Sequence, residues 1–206
     1  MAIGAATGRS GDGQASGLSR GPEGLAQRRP RPRAVVTRPA HSADSLARAL
    51  AAAGLEPILC PVIEICPVDD GCPLRAAITD WTAWDWVVFT SRNAVRAVRS
   101  VAAEAHVDLG SFSGADAGQG ARPRIAAVGP KTGAALEDMG LEVDTMPEVY
   151  DGSHLAREIL AIGPGGTKGS VLLPRSDIGR EETADALRAA GMEVVDIPAY
   201  RTRHRR

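Results

Sequence analysis

The sequence is poor in aromatic residues and in cysteine. It has two Phe, two Tyr and three Trp among 206 residues, and its three cysteines are Cys60, Cys66 and Cys72. So few aromatic side chains leave little with which to sandwich a flavin. The cysteines form no C-x-x-C pair and the four histidines are scattered along the chain, so no zinc site is predicted. An odd number of cysteines without a secretory signal predicts a reducing, cytoplasmic setting.

Long apolar runs and the common nucleotide motifs are also missing. No stretch reaches the roughly 20 apolar residues that span a membrane. No G-x-G-x-x-G, Walker A or G-x-S-x-G motif occurs, which excludes the usual dinucleotide, ATP and serine-hydrolase sites. The segment GPGGTKG at 163–169 precedes a predicted strand, which is the wrong end for phosphate binding, and is interpreted as a turn.

The net charge of −1 is unevenly distributed. Residues 34–200 carry 14 basic and 23 acidic side chains, whereas both ends are rich in Arg. An acidic body argues against nucleic acid as a partner, because such binding neutralises phosphates. Residues 1–33 have no apolar periodicity and are predicted to be a disordered leader, a composition that favours an extension or linker over a transit peptide. Residues 201–206 are predicted to be a solvated basic tail.

One pattern of Gly, Leu or Met, and Glu occurs three times, with Pro seven residues after the Gly. The copies are AGLEPILCP (53–61), MGLEVDTMP (139–147) and AGMEVVDIP (190–198). Each copy predicts a helix that ends in a left-handed Gly. A short strand follows, and Pro is expected to end it because Pro cannot donate to a ladder.

Strands alternate with helices of about three turns, which predicts parallel βαβ units and an α/β fold. The predicted strands are 34–37, 57–60, 85–90, 124–128, 143–146, 170–174 and 193–200. Their nearly continuous apolar character predicts a sheet covered on both faces. The Gly-rich and Asp-containing segment 110–124 is interpreted as a mobile surface insertion rather than a lid.

Polar side chains follow several of these strands, at the starts of helices. The stretch VVFTSRNAV (87–95) is an example, in which Thr90 and Ser91 can cap a helix and can also face a ligand. In an open parallel sheet, ligands bind outside the carboxyl ends of the strands. Hydroxyls, N–H groups and cations at this edge predict an anion-binding rim. The rim comprises Thr37, Arg38, Thr90, Ser91, Asn93, Lys131, Thr132, Arg175, Ser176 and Arg180.

Five segments, taken in order, resemble the uroporphyrinogen-III synthase family. They are VVTRP (35–39), VVFTSRNAV (87–95), IAAVGPKTGAALEDMGLEV (125–143), VLLPRSDIGRE (171–181) and IPAYRT (197–202). The similarity runs from about Ala34 to Thr202 and omits the loop at 110–123. The resemblance implies two flavodoxin-like α/β domains joined by a β-ladder, with the substrate in the cleft between them.

The resemblance also implies a discontinuous first domain. Residues 34–64 would be its opening βαβ unit, and residues 65–200 the inserted flavodoxin-like domain. The remaining half of the first domain would follow Thr202, so the chain is interpreted as C-terminally truncated, with one domain incomplete. Family members are expected to be monomers, but the unpaired sheet edges of the opening unit make self-association possible here.

The implied activity is that of a lyase of tetrapyrrole biosynthesis, which serves haem, sirohaem and cobalamin. The implied substrate is hydroxymethylbilane, a linear tetrapyrrole with eight carboxylates. Ring A loses its hydroxyl as water, ring D attacks through its substituted carbon, and a spiro intermediate rearranges so that ring D is inverted. No metal or organic cofactor is implied. The protein mostly holds one conformer of an electron-rich substrate.

The resemblance assigns a role to eight residues. Tyr200 falls on the family's Y-x-T position and is expected to be the catalytic proton donor, since a phenol is protonated at neutral pH. Simple packing at a strand end is the alternative reading of Tyr200. The expected carboxylate-binding residues are Thr90, Ser91, Thr132, Lys131, Arg38, Arg175 and Arg180.

A different class of protein would leave the same pattern. A catalytically silent, truncated flavodoxin-like module could retain these hydroxyls while binding an anionic ligand or a partner subunit. A phosphoryl-receiver module is disfavoured, because no Asp pair ends the first strand.

Overall fold

The computed structural model describes residues 31–68, 72–112, 122–163 and 169–205. These ranges form strands β1 Arg33–Val36, β2 Glu56–Leu59, β3 Ile63–Pro67, β4 Trp86–Phe89, β5 Arg124–Ala127, β6 Ser170–Ser176 and β7 Glu193–His204. The helices are α1 Ala40–Ala52, α2 Cys72–Thr79, α3 Arg92–Glu104, α4 Pro130–Glu137, α5 Gly152–Ile162 and α6 Glu182–Ala189, with short 3₁₀ turns at Trp81–Ala83 and Leu109–Phe112. No helix within these ranges is both long and apolar enough to cross a bilayer.

Five strands form the larger sheet, in the order β3-β7-β6-β4-β5. The pairs β4–β5, β4–β6 and β6–β7 are parallel, and β3 pairs with β7 in the antiparallel sense. From the opposite edge, the parallel strands lie in the spatial order 2-1-3-4 when numbered along the chain, which is the beginning of the doubly wound order 2-1-3-4-5. The predicted α/β fold with mostly parallel strands is confirmed.

Strand β4 shows why this sheet is covered on both faces. All four of its residues are buried. Val87 and Phe89 pack in the core on the side of α2 and α3, whereas Trp86 and Val88 pack in a second core with α5 and α6. Successive side chains of a strand point to opposite faces. Each such buried apolar side chain contributes about 1.5–3 kcal/mol relative to exposure.

The first three elements form a small unit beside the larger sheet. Strands β1 and β2 pair in parallel in a sheet of their own, with Val35 opposite Ile58. The Val62 N–H donates to the Thr37 carbonyl where the chain leaves this unit. His41 and Asn93 line one cavity together, so the first turns of α1 and α3 lie close to each other.

Three predicted helix ends are confirmed by the backbone. Gly54, Gly140 and Gly191 have φ angles of 84°, 77° and 85°, in the left-handed region that glycine adopts without strain. Within the described ranges, the predicted strand at 143–146 is reduced to one isolated bridge between Thr145 and Ala126.

The largest departure from prediction lies along β7. This strand continues to His204, so residues 201–204 are part of the sheet rather than a solvated tail. Their partner is β3, a strand that the sequence did not predict, with Pro67 opposite Tyr200 and Ile63 opposite His204. The domain boundary expected between residues 64 and 65 therefore falls inside strand β3.

Pro198 does not end β7, contrary to the prediction. The pairing of β7 with β3 begins only at Tyr200, after Pro198 in the chain. The β3 side of the ladder therefore requires no N–H from Pro198. On the β6 side, Pro198 pairs with Arg175, and the register of the two strands shifts directly after this pair, between Arg175 and Ser176. The predicted leader over residues 1–30, most of the insertion at 110–124, and the turn at 164–168 lie outside the described residues.

Candidate functional site

The loops that follow β4 and β6 meet at one edge of the larger sheet. β4 and β6 are neighbours, but β5 lies beyond β4 on one side and β7 beyond β6 on the other. Such a reversal of strand order opens a crevice at the carboxyl ends of a doubly wound sheet. Here it holds a hollow of about 320 Å³, which we call the polar hollow. Its lining is Thr90, Ser91, Val128, Tyr150, Asp151, Gly152, Arg175, Ser176, Gly179, Arg180, Glu182, Thr183 and Tyr200.

Tyr200 lies at the base of the polar hollow. It is only 8% exposed, and its hydroxyl is 3.1 Å from Ser91 Oγ. Strand β7 places it there, because Tyr200 pairs with Ser176 on one side and with Pro67 on the other. A phenol that is buried and in hydrogen-bond contact with Ser91 has little freedom to rotate away, which suits a group that must meet a ligand in one orientation.

The opening of α3 brings the predicted hydroxyls to the polar hollow. Ser91 is the N-cap of α3, and its Oγ accepts the Ala94 N–H at 3.1 Å. Thr90 precedes it, directly after buried Phe89, and lines the same hollow. The capping role predicted for Ser91 is confirmed. The helix N-terminus also directs the positive end of its dipole toward this site.

Arg175 lines the hollow but is already engaged by acidic groups. Its Nη2 lies 3.1 Å from Asp196 and 3.3 Å from Glu181, and its Nη1 donates to the Gly179 carbonyl. The guanidinium is 13% exposed, and its Nε is buried without a partner among the described residues. These bonds fix the loop that follows β6, so in this conformation Arg175 holds the loop in place.

Arg180 has the opposite environment. Its side chain is 87% exposed at the rim of the hollow, with Glu182 as a distant partner at 4.0 Å. An ion pair at that distance and exposure contributes little. Arg180 is therefore the cation of the rim best able to turn toward an anionic ligand.

The same loop is anchored by Asp177. Its Oδ1 accepts the N–H groups of Thr202 and Ile178 and the hydroxyl of Ser176. Burial by itself would raise the pKa of Asp177, but these hydrogen bonds together lower it below its ordinary value. The carboxylate thus connects the end of β6 to β7 beside Tyr200.

Three predicted site residues lie elsewhere. Thr132 is 5% exposed within α4, and Lys131 lines a separate groove between α3 and α4 with Arg92 and Arg96. Arg38 is exposed in the loop after β1, in the small unit. The described conformation therefore gathers five of the eight predicted residues at the polar hollow: Thr90, Ser91, Arg175, Arg180 and Tyr200.

Sequence reasoning missed the third wall of the hollow, formed by Tyr150, Asp151 and Gly152. Asp151 is the N-cap of α5. Its carboxylate accepts hydrogen bonds from the backbone N–H and from the Nδ1 of His154. The backbone hydrogen bond from His154, followed by the one from its imidazole, lowers the pKa of Asp151. Asp followed by Gly and Ser before an apolar run is a helix-start signal, and it could have revealed this wall.

Tyr200 also lines a second, larger cavity of about 540 Å³, which we call the side cavity. It runs along α3, between that helix and β3 with α2. His41 closes it on the side of the small unit, and Asn93 and Arg96 line it from α3. Both cavities have volumes typical of ligand sites, about 300–1,000 Å³. No group of His, Cys, Asp and Glu within the described ranges could hold a metal ion.

Comparison with known proteins gives consistent results. A family model described as uroporphyrinogen-III synthase HemD matches residues 44–206. The chain is 33% identical over 171 residues to a uroporphyrinogen-III synthase of Synechococcus elongatus, an alignment that covers 82% of this chain and 60% of that protein. It is 30% identical over 170 residues to the porphyrin biosynthesis protein HemD of Ruminiclostridium josui, covering 82% of this chain and 32% of that one. The chain thus spans between about a third and three-fifths of the lengths of these relatives.

Solved structures show the same fold. A mutant uroporphyrinogen III synthase of the extremely thermophilic bacterium Thermus thermophilus superposes with a TM-score of 0.60 at 17% identity, covering 84% of this chain and 64% of that one. The wild-type protein in another crystal form gives a TM-score of 0.53 at 19% identity, covering 84% of this chain and 63% of that one. Because the family model spans most of the sequence and the fold agrees, the chain belongs to the uroporphyrinogen-III synthase family.

Proposed function

We propose that the chain carries out, or forms the larger part of, the uroporphyrinogen-III synthase reaction on hydroxymethylbilane. The observation that carries this proposal is the Tyr200 hydroxyl, buried beside Ser91 and facing a ligand-sized hollow at the switch point of the sheet. A buried phenol with one bound neighbour and an open side is suited to donate a proton.

In the proposed reaction, the Tyr200 phenol gives its proton to the hydroxyl that leaves ring A of the substrate. The carbon–oxygen bond breaks, water departs, and the electron pairs of the pyrroles stabilise the resulting cation. The substituted carbon of ring D then forms a bond to that centre. The spiro intermediate rearranges to close the macrocycle with ring D inverted, and the proton that is then lost returns to the Tyr200 phenolate.

Binding of the carboxylates is assigned to the rim of the polar hollow. Thr90 offers a hydroxyl, Ser91 caps the N-terminus of α3, whose dipole favours an anion, and exposed Arg180 offers a guanidinium. We assign Lys131 and Arg38 to substrate carboxylates that reach beyond the hollow. Thr132 is assigned to a substrate carboxylate at the start of α4. Arg175 is assigned to substrate binding through an indirect role. Because its guanidinium is paired with Asp196, it acts by holding in place the loop that follows β6.

We also propose the domain assignment that the family implies. In it, residues 34–64 open a first domain and residues from 65 onward supply the inserted one. The substrate would lie between the two, in contact with both the polar hollow and the side cavity, which share Tyr200. We propose a cytoplasmic, monomeric protein that uses no cofactor.

An isomer assay tests the proposal. The purified 206-residue chain is mixed with freshly generated hydroxymethylbilane, the products are oxidised, and type I and type III uroporphyrins are separated by chromatography. Unassisted closure gives type I, so we expect an excess of type III with the chain present. Tyr200→Phe is expected to lower the rate of type III formation about 10²–10⁴-fold, the usual range for a general acid. Thr90→Ala is expected to weaken substrate binding.

The matched control is Thr79→Ala, which removes an exposed hydroxyl in α2 that donates to the Arg75 carbonyl and itself lines neither cavity. This variant should retain the type III rate. Only type I product, from a sample shown to be folded by circular dichroism, would overturn the proposed function. Full activity of Tyr200→Phe would overturn the role of the phenol.

A further inference from the structure

The Ser91 hydroxyl is shared between two groups. Its oxygen accepts the Ala94 N–H at 3.1 Å, and it lies 3.1 Å from the Tyr200 hydroxyl. A serine hydroxyl has one proton to donate and two lone pairs that can accept. With one lone pair occupied by the Ala94 N–H, the proton of Ser91 remains available for the phenol oxygen.

We propose that Ser91 donates this proton to Tyr200 and is a positioning residue for the phenol, an inference that rests on the proposed function. Of the two hydroxyl protons in the pair, one makes the bond between the side chains and the other is left over. When Ser91 is the donor, the remaining proton is that of Tyr200. This proton is then directed into the polar hollow, where the leaving group of the substrate would lie.

The same contact favours the charge that proton transfer creates. When Tyr200 gives up its proton, negative charge develops on the phenol oxygen. A hydrogen bond to a charged oxygen is about twice as strong as one to a neutral oxygen, so the Ser91 bond strengthens as the reaction proceeds. The N-terminus of the 13-residue helix α3, which Ser91 caps, places the positive end of a dipole beside the same oxygen.

A substitution can separate this role from capping. Glycine is nearly as good an N-cap as serine, so Ser91→Gly should leave α3 and the melting temperature almost unchanged. It removes the side-chain hydroxyl that bonds Tyr200. Ser91→Thr keeps both the cap and the hydroxyl. Ser91→Asp keeps the cap but can only accept, and would draw the phenol proton toward itself.

The kinetic test is the rate of type III formation by these variants. We expect kcat to fall about 10- to 100-fold in Ser91→Gly with little change in KM, the size of one hydrogen bond to a developing charge. Ser91→Thr should recover most of the rate. Ser91→Asp should be slower than Ser91→Gly despite its better cap. An unchanged kcat in Ser91→Gly would overturn the proposal, and so would an Asp variant as fast as wild type.

A spectroscopic test does not depend on activity. The chain has two tyrosines, so in a Tyr150→Phe background the ultraviolet absorbance of phenolate reports Tyr200 alone. Removing a donor to the phenolate oxygen should move this titration to higher pH in Ser91→Gly, and Ser91→Thr should restore it. Identical titrations would refute the contact itself. A wild-type chain that yields only type I uroporphyrin would refute the proposed function instead, and the titration would still decide the Ser91–Tyr200 contact.

Discussion

Gly152 lines the polar hollow and Gly129 lies beside it, and each has a close neighbour where a Cβ would stand. A Cβ on Gly129 would lie 3.2 Å from Cγ of Tyr150, whose ring is 61% exposed at the rim. A Cβ on Gly152 would collide with Oγ1 of Thr183. The second contact is the more severe, because Thr183 is buried in α6 and cannot turn away into solvent.

We predict that Gly152→Ala destabilises the protein by about 1–3 kcal/mol, the usual cost of overpacking. In a Thr183→Ala background the clash is gone, since the next nearest atoms of residue 183 are 3.6 Å away. There the same change should be neutral or stabilising, because Ala is a better helix residue than Gly. Urea unfolding of the four proteins gives the coupling energy. Equal effects in both backgrounds would show that no clash exists.

At this scale, the sequence was informative where a residue acts locally. Thr90 and Ser91 were predicted to line the site because they follow a buried strand at a helix start, and Ser91 is indeed the cap. The contact between Ser91 and Tyr200 joins residues 109 positions apart and has no local signature. The pairing of Arg175 with Asp196 is of the same kind, and in the described conformation it fixes this predicted ligand cation against β7.

At the scale of elements, the most regular feature of the chain is the left-handed glycine that ends three of its helices. Gly191 ends the turn after α6, and nothing among the described residues lies within 4 Å of a Cβ built on it. Its φ of 85° is therefore the whole cost of placing a side chain there. This makes it a clean site at which to measure left-handed strain, free of packing effects.

Gly191→Ala is expected to lower the free energy of unfolding by about 1–2 kcal/mol, the penalty of a Cβ in the left-handed region. Gly191→Asn should lower it less, because Asn tolerates this region best among side-chain-bearing residues. At about 2–4 °C per kcal/mol, both changes are measurable in thermal melts. A melting temperature of the Ala variant equal to that of wild type would show that the turn relaxes.

At the scale of the whole molecule, a polar contact joins the small unit to the larger sheet. His41, Asn93 and Arg96 line the side cavity together, and Arg92 lies nearby on α3. Burial and the charge of Arg96 lower the pKa of His41 below its ordinary 6.5, with Arg92 acting in the same sense and Asn93 opposing them. The neutral imidazole is therefore the form that the docked arrangement prefers.

The pH dependence follows from that direction. A histidine whose folded-state pKa is lowered contributes stability that is fully present above about pH 6.5 and is lost as the pH falls through the folded-state value. We expect the melting temperature to decline from about pH 8 to about pH 5.5, and to decline less in His41→Gln. His204→Gln, at the far end of β7, is the control for an exposed histidine and should follow the wild type. Parallel curves for all three proteins would contradict the prediction.

Most of the elements, and the family, could be inferred from the chain alone. Left-handed glycines, a capping serine and fully apolar strands act through the backbone and through burial within a few residues, so each leaves a local pattern. The pairing of β3 with the end of β7, and the contact of Tyr200 with Ser91, emerged only in the folded molecule. Those contacts depend on strand order across the whole sheet. No local pattern encodes strand order, because it is settled by how the two faces bury their apolar side chains together.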